Sequence, residues 1–276
     1  MRAAFTHAGA ALNFVDTGEG VPVVFLHPTP LDHSYWRPMV KLLSGVRAIV
    51  PDFRGHGASE LGTALPVGGF ARVPDAPVLT MGQLAEDVLA LLDRLGVERA
   101  VFCGCSIGGY VLLELWRRAP QRMLALVFVC SKPQADGEAA LAKRAENIAR
   151  VRVEGASGFL DTMANTLPGA SARAQRPELV SEVRATMTLT AEAVIAVQAG
   201  LATRPDSLPT VATINVPVLS IAGGQDASVT PTDVAAFQNV PGGCEGHHLP
   251  DAGHLAAYEQ PDRVASIFAE WLRGSR

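Results

Sequence analysis

Gly104-Cys105-Ser106-Ile107-Gly108-Gly109 follows the apolar run Arg99-Ala100-Val101-Phe102-Cys103 and leads at once into the helix-like run from Tyr110 to Ala119. A strand that ends in Gly-x-Ser-x-Gly and turns directly into a helix sets the serine on a sharp, strained turn with its hydroxyl clear of the backbone. The small residues at 104, 108 and 109 let strand and helix approach closely. The turn also aims the free N–H groups of the helix start at whatever the serine attacks. A Gly-rich turn with a chance serine would look the same in isolation, so the rest of the chain has to decide.

A serine that attacks a carbonyl needs a base, and the base needs an acid to orient it. Gly223-Gly224-Gln225-Asp226 follows the expected strand 216–222, and Asp251-Ala252-Gly253-His254 follows the expected strand 245–249. Asp226 and His254 therefore fall at the carboxyl ends of two strands. The order serine, acid, histidine is the one expected for a nucleophile on this kind of turn. Asp226 as a plain turn residue and His254 as a helix cap stay open at this level. Asp251 is a rival acid, although its place just before the histidine suits a turn. His247 and His248 are rival bases, although both fall inside the strand. After the strand 22–26 comes Leu26-His27-Pro28-Thr29-Pro30. A tetrahedral intermediate needs two N–H donors. Ile107, after the serine, offers one. Pro28 and Pro30 carry no N–H, which leaves Thr29 as the donor between them.

Around these motifs, strands and helices alternate. Ala11–Val15, Pro22–Leu26, Arg47–Val50, 100–104 and 124–130 read as strands, and the near-continuous apolar runs fit parallel strands buried on both faces. His33–Leu43 reads as a helix, Gly55–Leu79 as a long loop, and Thr80-Met81-Gly82-Gln83 as a capping box opening an amphipathic helix that Gly96 stops. Residues 131–210 contain no convincing strand and four helix-like stretches, Gly137–Val153, Gly158–Leu167, Pro177–Leu189 and Ala191–Ala202. Alternation then resumes with Val216–Ala222, Pro231–Val240, Glu245–Leu249 and Pro261–Arg273. The expected fold is α/β, a mostly parallel sheet with helices on both faces. Its core is 1–130 and 211–276, with 131–210 inserted as a helical cap over the carboxyl edge, where open α/β sheets bind ligands.

The bulk properties set outer limits. The 276 residues carry a net charge of −4, which favours neither nucleic acid nor an anionic membrane as partner. No apolar run is long enough to span a bilayer, and the N-terminus has no apolar signal core, so the expected location is cytoplasmic. Cys103, Cys105, Cys130 and Cys244 have neither disulfide-framework nor zinc-site spacing and read as reduced thiols.

With the serine turn, Asp226, His254 and the stretch Asp52-Phe53-Arg54-Gly55-His56-Gly57-Ala58-Ser59 in this order, the chain resembles the α/β-hydrolase superfamily over nearly its whole length. It looks most like the cap-bearing esterase and lactonase branch. Thr203-Arg204-Pro205-Asp206-Ser207 and Gly108-Gly109-Tyr110 look like proteins grouped with 3-oxoadipate enol-lactonases and carboxyl methyl esterases. The chain departs from the family in having His27-Pro28 where His-Gly is usual. The resemblance implies a serine hydrolase that cleaves a small-molecule ester or lactone through an acyl-enzyme, with catalytic Ser106, Asp226 and His254, an oxyanion hole from Thr29 and Ile107, and no metal or other cofactor. The expected pocket is mostly apolar, with Phe159, Met163 and Val194 from the cap and Leu31, Cys105 and Leu255 from the core, and suits an uncharged acyl group. An acyltransferase or perhydrolase on the same residues, or a ligand receptor on a hydrolase frame, are the alternatives.

Overall fold

The computed structural model describes residues 2–62 and 65–274. Thr63 and Ala64, inside the expected loop 55–79, lie outside the described residues. Among the described residues, eight strands form one sheet: β1 (Arg2–His7), β2 (Ala10–Thr17), β3 (Val21–Leu26), β4 (Val46–Pro51), β5 (Ala100–Cys105), β6 (Met123–Val129), β7 (Val218–Gly223) and β8 (Cys244–Leu249). Their spatial order is β1-β2-β4-β3-β5-β6-β7-β8. β1, β2 and β4 pair antiparallel, and every pairing from β4 through β8 is parallel. This is the expected α/β architecture.

Among the described residues, twelve α-helical segments surround the sheet: α1 (Arg37–Val40), α2 (Met81–Arg94), α3 (Ile107–Arg118), α4 (Glu138–Glu154), α5 (Ser157–Thr166), α6 (Ala170–Gln175), α7 (Leu179–Ala185), α8 (Ala191–Ala202), α9 (Leu208–Val211), α10 (Pro231–Val234), α11 (Ala256–Glu259) and α12 (Pro261–Gly274). Segments α4 to α9 all fall between β6 and β7. The central strand β5 is buried along its whole length, as a parallel strand covered on both faces must be.

Local chemistry explains where elements differ from expectation. β1 is an added edge strand held on β2, with Phe5 packed edge-on against Phe14 at a centroid distance of 6.1 Å. Its half-exposed side chains give it no apolar signature. The expected helix 33–43 is shorter. Asp32 caps a 3-10 turn over His33–Trp36 through the Ser34 N–H at 2.8 Å, and only the four residues of α1 follow. The stretch expected as one helix over 177–189 contributes only α7. It ends before Thr186-Met187-Thr188-Leu189-Thr190, whose β-branched threonines lead to Thr190 capping α8 through the Ala193 N–H at 3.2 Å. At α2 only half of the expected capping box forms: Thr80 Oγ1 accepts the Gln83 N–H at 3.1 Å.

Parallel pairing puts the carboxyl ends of β3, β5, β6, β7 and β8 on one edge of the sheet. The segments leaving that edge carry Thr29, Ser106, Lys132, Asp226 and His254, in that order.

Candidate active site

Ser106 joins β5 to α3 with φ 52° and ψ −117°, a left-handed conformation that a residue with a Cβ rarely adopts. The backbone around it is over-determined. Its N–H donates to Val129 O at 3.1 Å, and its carbonyl accepts from Gly109 N at 2.9 Å and from the Ser131 hydroxyl at 3.0 Å. Gly104 and Gly108 are required by contact: a Cβ on Gly104 would lie 2.5 Å from Gly108 C, and one on Gly108 would strike Leu26 O. The serine hydroxyl is thus held at the mouth of the turn without a hydrogen bond of its own fixing the backbone. Ile107, the first residue of α3, has an N–H with no intrahelical acceptor.

His254 Nδ1 donates to Asp226 Oδ2 at 2.7 Å. The other oxygen of Asp226 accepts the N–H groups of Ser228 at 2.7 Å and Val229 at 3.0 Å. Both side chains are buried. Burial pushes the Asp226 carboxyl up, but the adjacent imidazole and the two N–H donors outweigh it and hold the group below its ordinary value. Burial pulls His254 down, and the charge and hydrogen bond of Asp226 more than offset it, so the imidazole sits above 6.5. The rivals are placed differently. Asp251 is exposed, and on β8 His247 bonds Glu245 at 2.7 Å.

The loop of His254 is held from four sides. The Cys105 and Cys130 thiols, kept protonated by burial, face the carbonyls of His254 at 3.6 Å and Gly253 at 3.5 Å. The His254 N–H donates to Leu167 O at 2.9 Å. Glu259 accepts three N–H groups, from Gly253 at 2.8 Å, Leu255 at 3.0 Å and Gly169 at 3.0 Å. One buried carboxylate therefore clasps both neighbours of His254 and the loop before α6. Glu259→Gln turns an amide NH2 towards one or two of those N–H donors. We expect a loss of about 1–3 kcal/mol in urea unfolding, together with a fall in kcat larger than the change in KM.

Thr29 belongs to a second clasp. His56 Nδ1 donates to Arg54 O at 2.9 Å, so its Nε2 accepts the Thr29 hydroxyl at 2.8 Å. His27 donates through Nδ1 to Pro28 O and accepts the Phe53 N–H at Nε2, both at 3.0 Å. Burial lowers the two imidazoles to about 4 for His27 and about 3 for His56, so both are neutral near pH 7, as these bonds require. Arg54 in turn makes a two-pronged pair with Asp87 of α2 at 2.6 and 2.8 Å. The segment 52–59 is a brace for the loop that carries Thr29. Within it, Asp52 accepts the His33 N–H at 2.8 Å and His33 Nδ1 at 2.7 Å. Asp32, His33 and Asp52 are the one group among the described residues whose donor atoms lie close enough to share a metal ion. The His33 and Asp52 atoms are already paired with each other.

Thr29, Ser106 and His254 open into one cavity of about 200 Å³, walled by Tyr110, Lys132, Asp136, Ala140, Arg144, Met163, Leu167, Gln198, Leu201, Ser228 and Val229. Its wall corrects the expected apolar pocket. Of the six residues assigned to it, Met163 lines the cavity. Phe159, Val194, Leu31, Cys105 and Leu255 do not line it and are buried in the core. The apolar runs that suggested them are packing faces: α8, which carries Val194, is buried from Ala193 to Leu201. The charged wall comes from Lys132 just after β6 and from Arg144 in the first turns of α4 and Asp136 in the loop before it.

A model of the alpha/beta hydrolase family matches residues 23–267. The chain belongs to the alpha/beta hydrolase family. It is similar to 3-oxoadipate enol-lactonase 1 of Acinetobacter baylyi, with 28% identity over 91% of this chain and 88% of that one. Among solved structures it resembles a thermophilic esterase from Thermogutta terrifontis, with a TM-score of 0.88 and 32% identity over 100% of this chain and 99% of that one. It also resembles the enol-lactonase of Burkholderia xenovorans LB400, with a TM-score of 0.84 and 26% identity over 98% and 100% of the two chains. These hydrolase relatives support carboxylic ester hydrolysis as the class of chemistry. No helix among the described residues is long and apolar enough to cross a membrane.

Proposed function

We propose that this hydrolase cleaves a small carboxylic ester or lactone through an acyl-enzyme on Ser106. The observation that carries the reading is the shared cavity: Ser106, on its strained turn, opens into the same 200 Å³ space as His254, whose far nitrogen is bonded to Asp226. With Nδ1–H committed to Asp226, the neutral imidazole has its lone pair on Nε2, the form that can accept the serine proton. Ser106 attacks the carbonyl carbon as His254 takes its proton. The Ile107 and Thr29 N–H groups receive the developing oxyanion. The imidazolium then protonates the leaving alkoxide, and a water deprotonated by the same ring releases the acid. Asp226 fixes the tautomer and stabilises the charged ring.

In this reading residues 131–210 act as a cap over the sheet edge. Ala140, Arg144, Met163, Leu167, Gln198 and Leu201 from that block share the cavity wall with the serine, which supports this role. The volume is below the ~300–1,000 Å³ of sites for drug-sized ligands, so the acyl and alcohol parts are small. The test is a panel of p-nitrophenyl esters, methyl esters and lactones. Short chains should be preferred. Met163→Ala should raise the hexanoate-to-acetate ratio of kcat/KM about tenfold, since one methylene of fit is worth roughly 1–3 kcal/mol. A panel with no hydrolysed member would overturn the proposal. An unmoved ratio in folded Met163→Ala would remove Met163 from specificity.

A further inference from the structure

Resting on the acyl-enzyme reading of Ser106, we infer that segment 167–171 is a clasp that sets the loops of Asp226 and His254 against each other. Gln225, Ser171 and Gly169 are its positioning residues. The block 131–210 then aligns the proton-transfer pair as well as walling the cavity.

Three stretches far apart in the chain meet here at backbone distance. Pro168 has no N–H with which to extend α5, and the helix ends beside the cavity that Leu167 lines. The Leu167 carbonyl accepts the His254 N–H at 2.9 Å, and the Gly169 N–H donates to Glu259 at 3.0 Å. The segment therefore holds the histidine loop at two points. It also holds the acid's loop. The Ser171 N–H donates to Gln225 Oε1 at 2.9 Å, and Gln225 Nε2 donates to Ser171 Oγ at 2.7 Å. Gln225 is the neighbour of Asp226, and its own N–H donates to Ala252 O at 2.8 Å, which closes the triangle between the three stretches. Contact leaves no slack among them. A Cβ on Gly169 would lie 2.7 Å from Gly253 N, 2.9 Å from Gln225 Oε1 and 3.0 Å from Glu259 Oε2, and one on Gly253 would strike Gly169 N. Gly169 has φ −62° and ψ 154°, a conformation open to any residue. Its missing side chain therefore answers to the approach of the other two loops and not to backbone strain. Asp226 and His254 follow different strands, so their 2.7 Å bond depends on how these loops are set. Proton transfer tolerates little error: a misplacement of about 1 Å can cost about a hundredfold in rate. Segment 167–171 grips both loops at once and removes that freedom.

The experiment measures kcat and KM on p-nitrophenyl acetate, with urea unfolding to confirm that each variant is folded. Gly169→Ala keeps the backbone conformation and drives a methyl group between the loops. Gln225→Met keeps the length of the side chain and removes both bonds to Ser171. Each should lower kcat about tenfold and leave KM within about twofold, because a displaced imidazole slows acylation and deacylation alike. Ser171→Ala loses one hydrogen-bonded hydroxyl and should lower kcat about threefold, while Ser171→Thr keeps the hydroxyl and should restore the wild-type value. Gln175→Ala, at an exposed position of α6, should leave kcat and KM unchanged. If Gly169→Ala and Gln225→Met fail to fold, the Ser171→Ala and Ser171→Thr pair, which alters one part-exposed residue, still decides. Wild-type kcat in folded Ser171→Ala and Gln225→Met, or a change confined to KM, overturns the clasp while leaving the hydrolase reading intact. A wild-type protein that cleaves no ester or lactone overturns both.

Discussion

Ser106→Ala lowers ester turnover about a million-fold, the loss seen when such a nucleophile is removed, and leaves a folded protein. Both halves follow from the geometry. The turn is held through the Ser106 N–H, which donates to Val129 O, and the Ser106 carbonyl, which accepts from Gly109 N and the Ser131 hydroxyl; none of these uses the Ser106 hydroxyl. Alanine keeps the same Cβ at the same φ of 52°, so the strain is neither added to nor relieved. What disappears is the oxygen that forms the acyl bond in the proposed mechanism. Circular dichroism and urea unfolding check the fold, and initial rates on a short p-nitrophenyl ester check the chemistry. Turnover within about a hundredfold of wild type in a sequence-verified sample would remove Ser106 from the mechanism.

Asp226→Asn should cost about 10³–10⁴ in kcat. All three partners of this carboxylate, His254 Nδ1 and the Ser228 and Val229 N–H groups, are donors. An amide NH2 placed among them forces His254 to accept at Nδ1 and carry its proton on Nε2, where it cannot take the serine proton. The pH profile gives a second signature. In the wild type the pair with Asp226 holds His254 above 6.5 despite its burial, so kcat/KM should rise with pH through a midpoint above 6.5. Removing the carboxylate leaves burial as the dominant influence, and burial disfavours the charged ring. The residual activity of Asp226→Asn should then rise through a midpoint below 6.5. Asp251→Asn, at an exposed position, should leave both rate and midpoint near wild type. A larger loss in Asp251→Asn than in Asp226→Asn would reassign the acid.

The alternation of apolar strands with amphipathic helices made the parallel sheet legible because β3 to β7 are largely buried on both faces and helices such as α2 and α12 on one. The turn at Ser106 was legible because only small residues fit where Gly104 and Gly108 meet backbone. The edge strand β1 was not, since half its side chains face solvent and it is held by pairing rather than by apolar content. The cavity wall was hidden for a similar reason. Apolarity in α5 and α8 reports packing, so Phe159 and Val194 looked like pocket residues when they are core. Lys132, Asp136 and Arg144 carried no signal, because nothing in a one-dimensional pattern tells a solvated helix end from one turned inward. Glu259 was equally silent. Its three N–H partners come from two separate segments, and only the folded chain brings Gly169 next to Gly253 and Leu255.

Mass spectrometry after treatment with a fluorophosphonate reads the proposed nucleophile itself, because the probe reacts with a serine that is already activated. One adduct per chain is expected, mapped by peptide sequencing to Ser106, absent in Ser106→Ala and slowed strongly in Asp226→Asn. An adduct at any other residue, or full ester turnover by a protein that takes up no label, would contradict it.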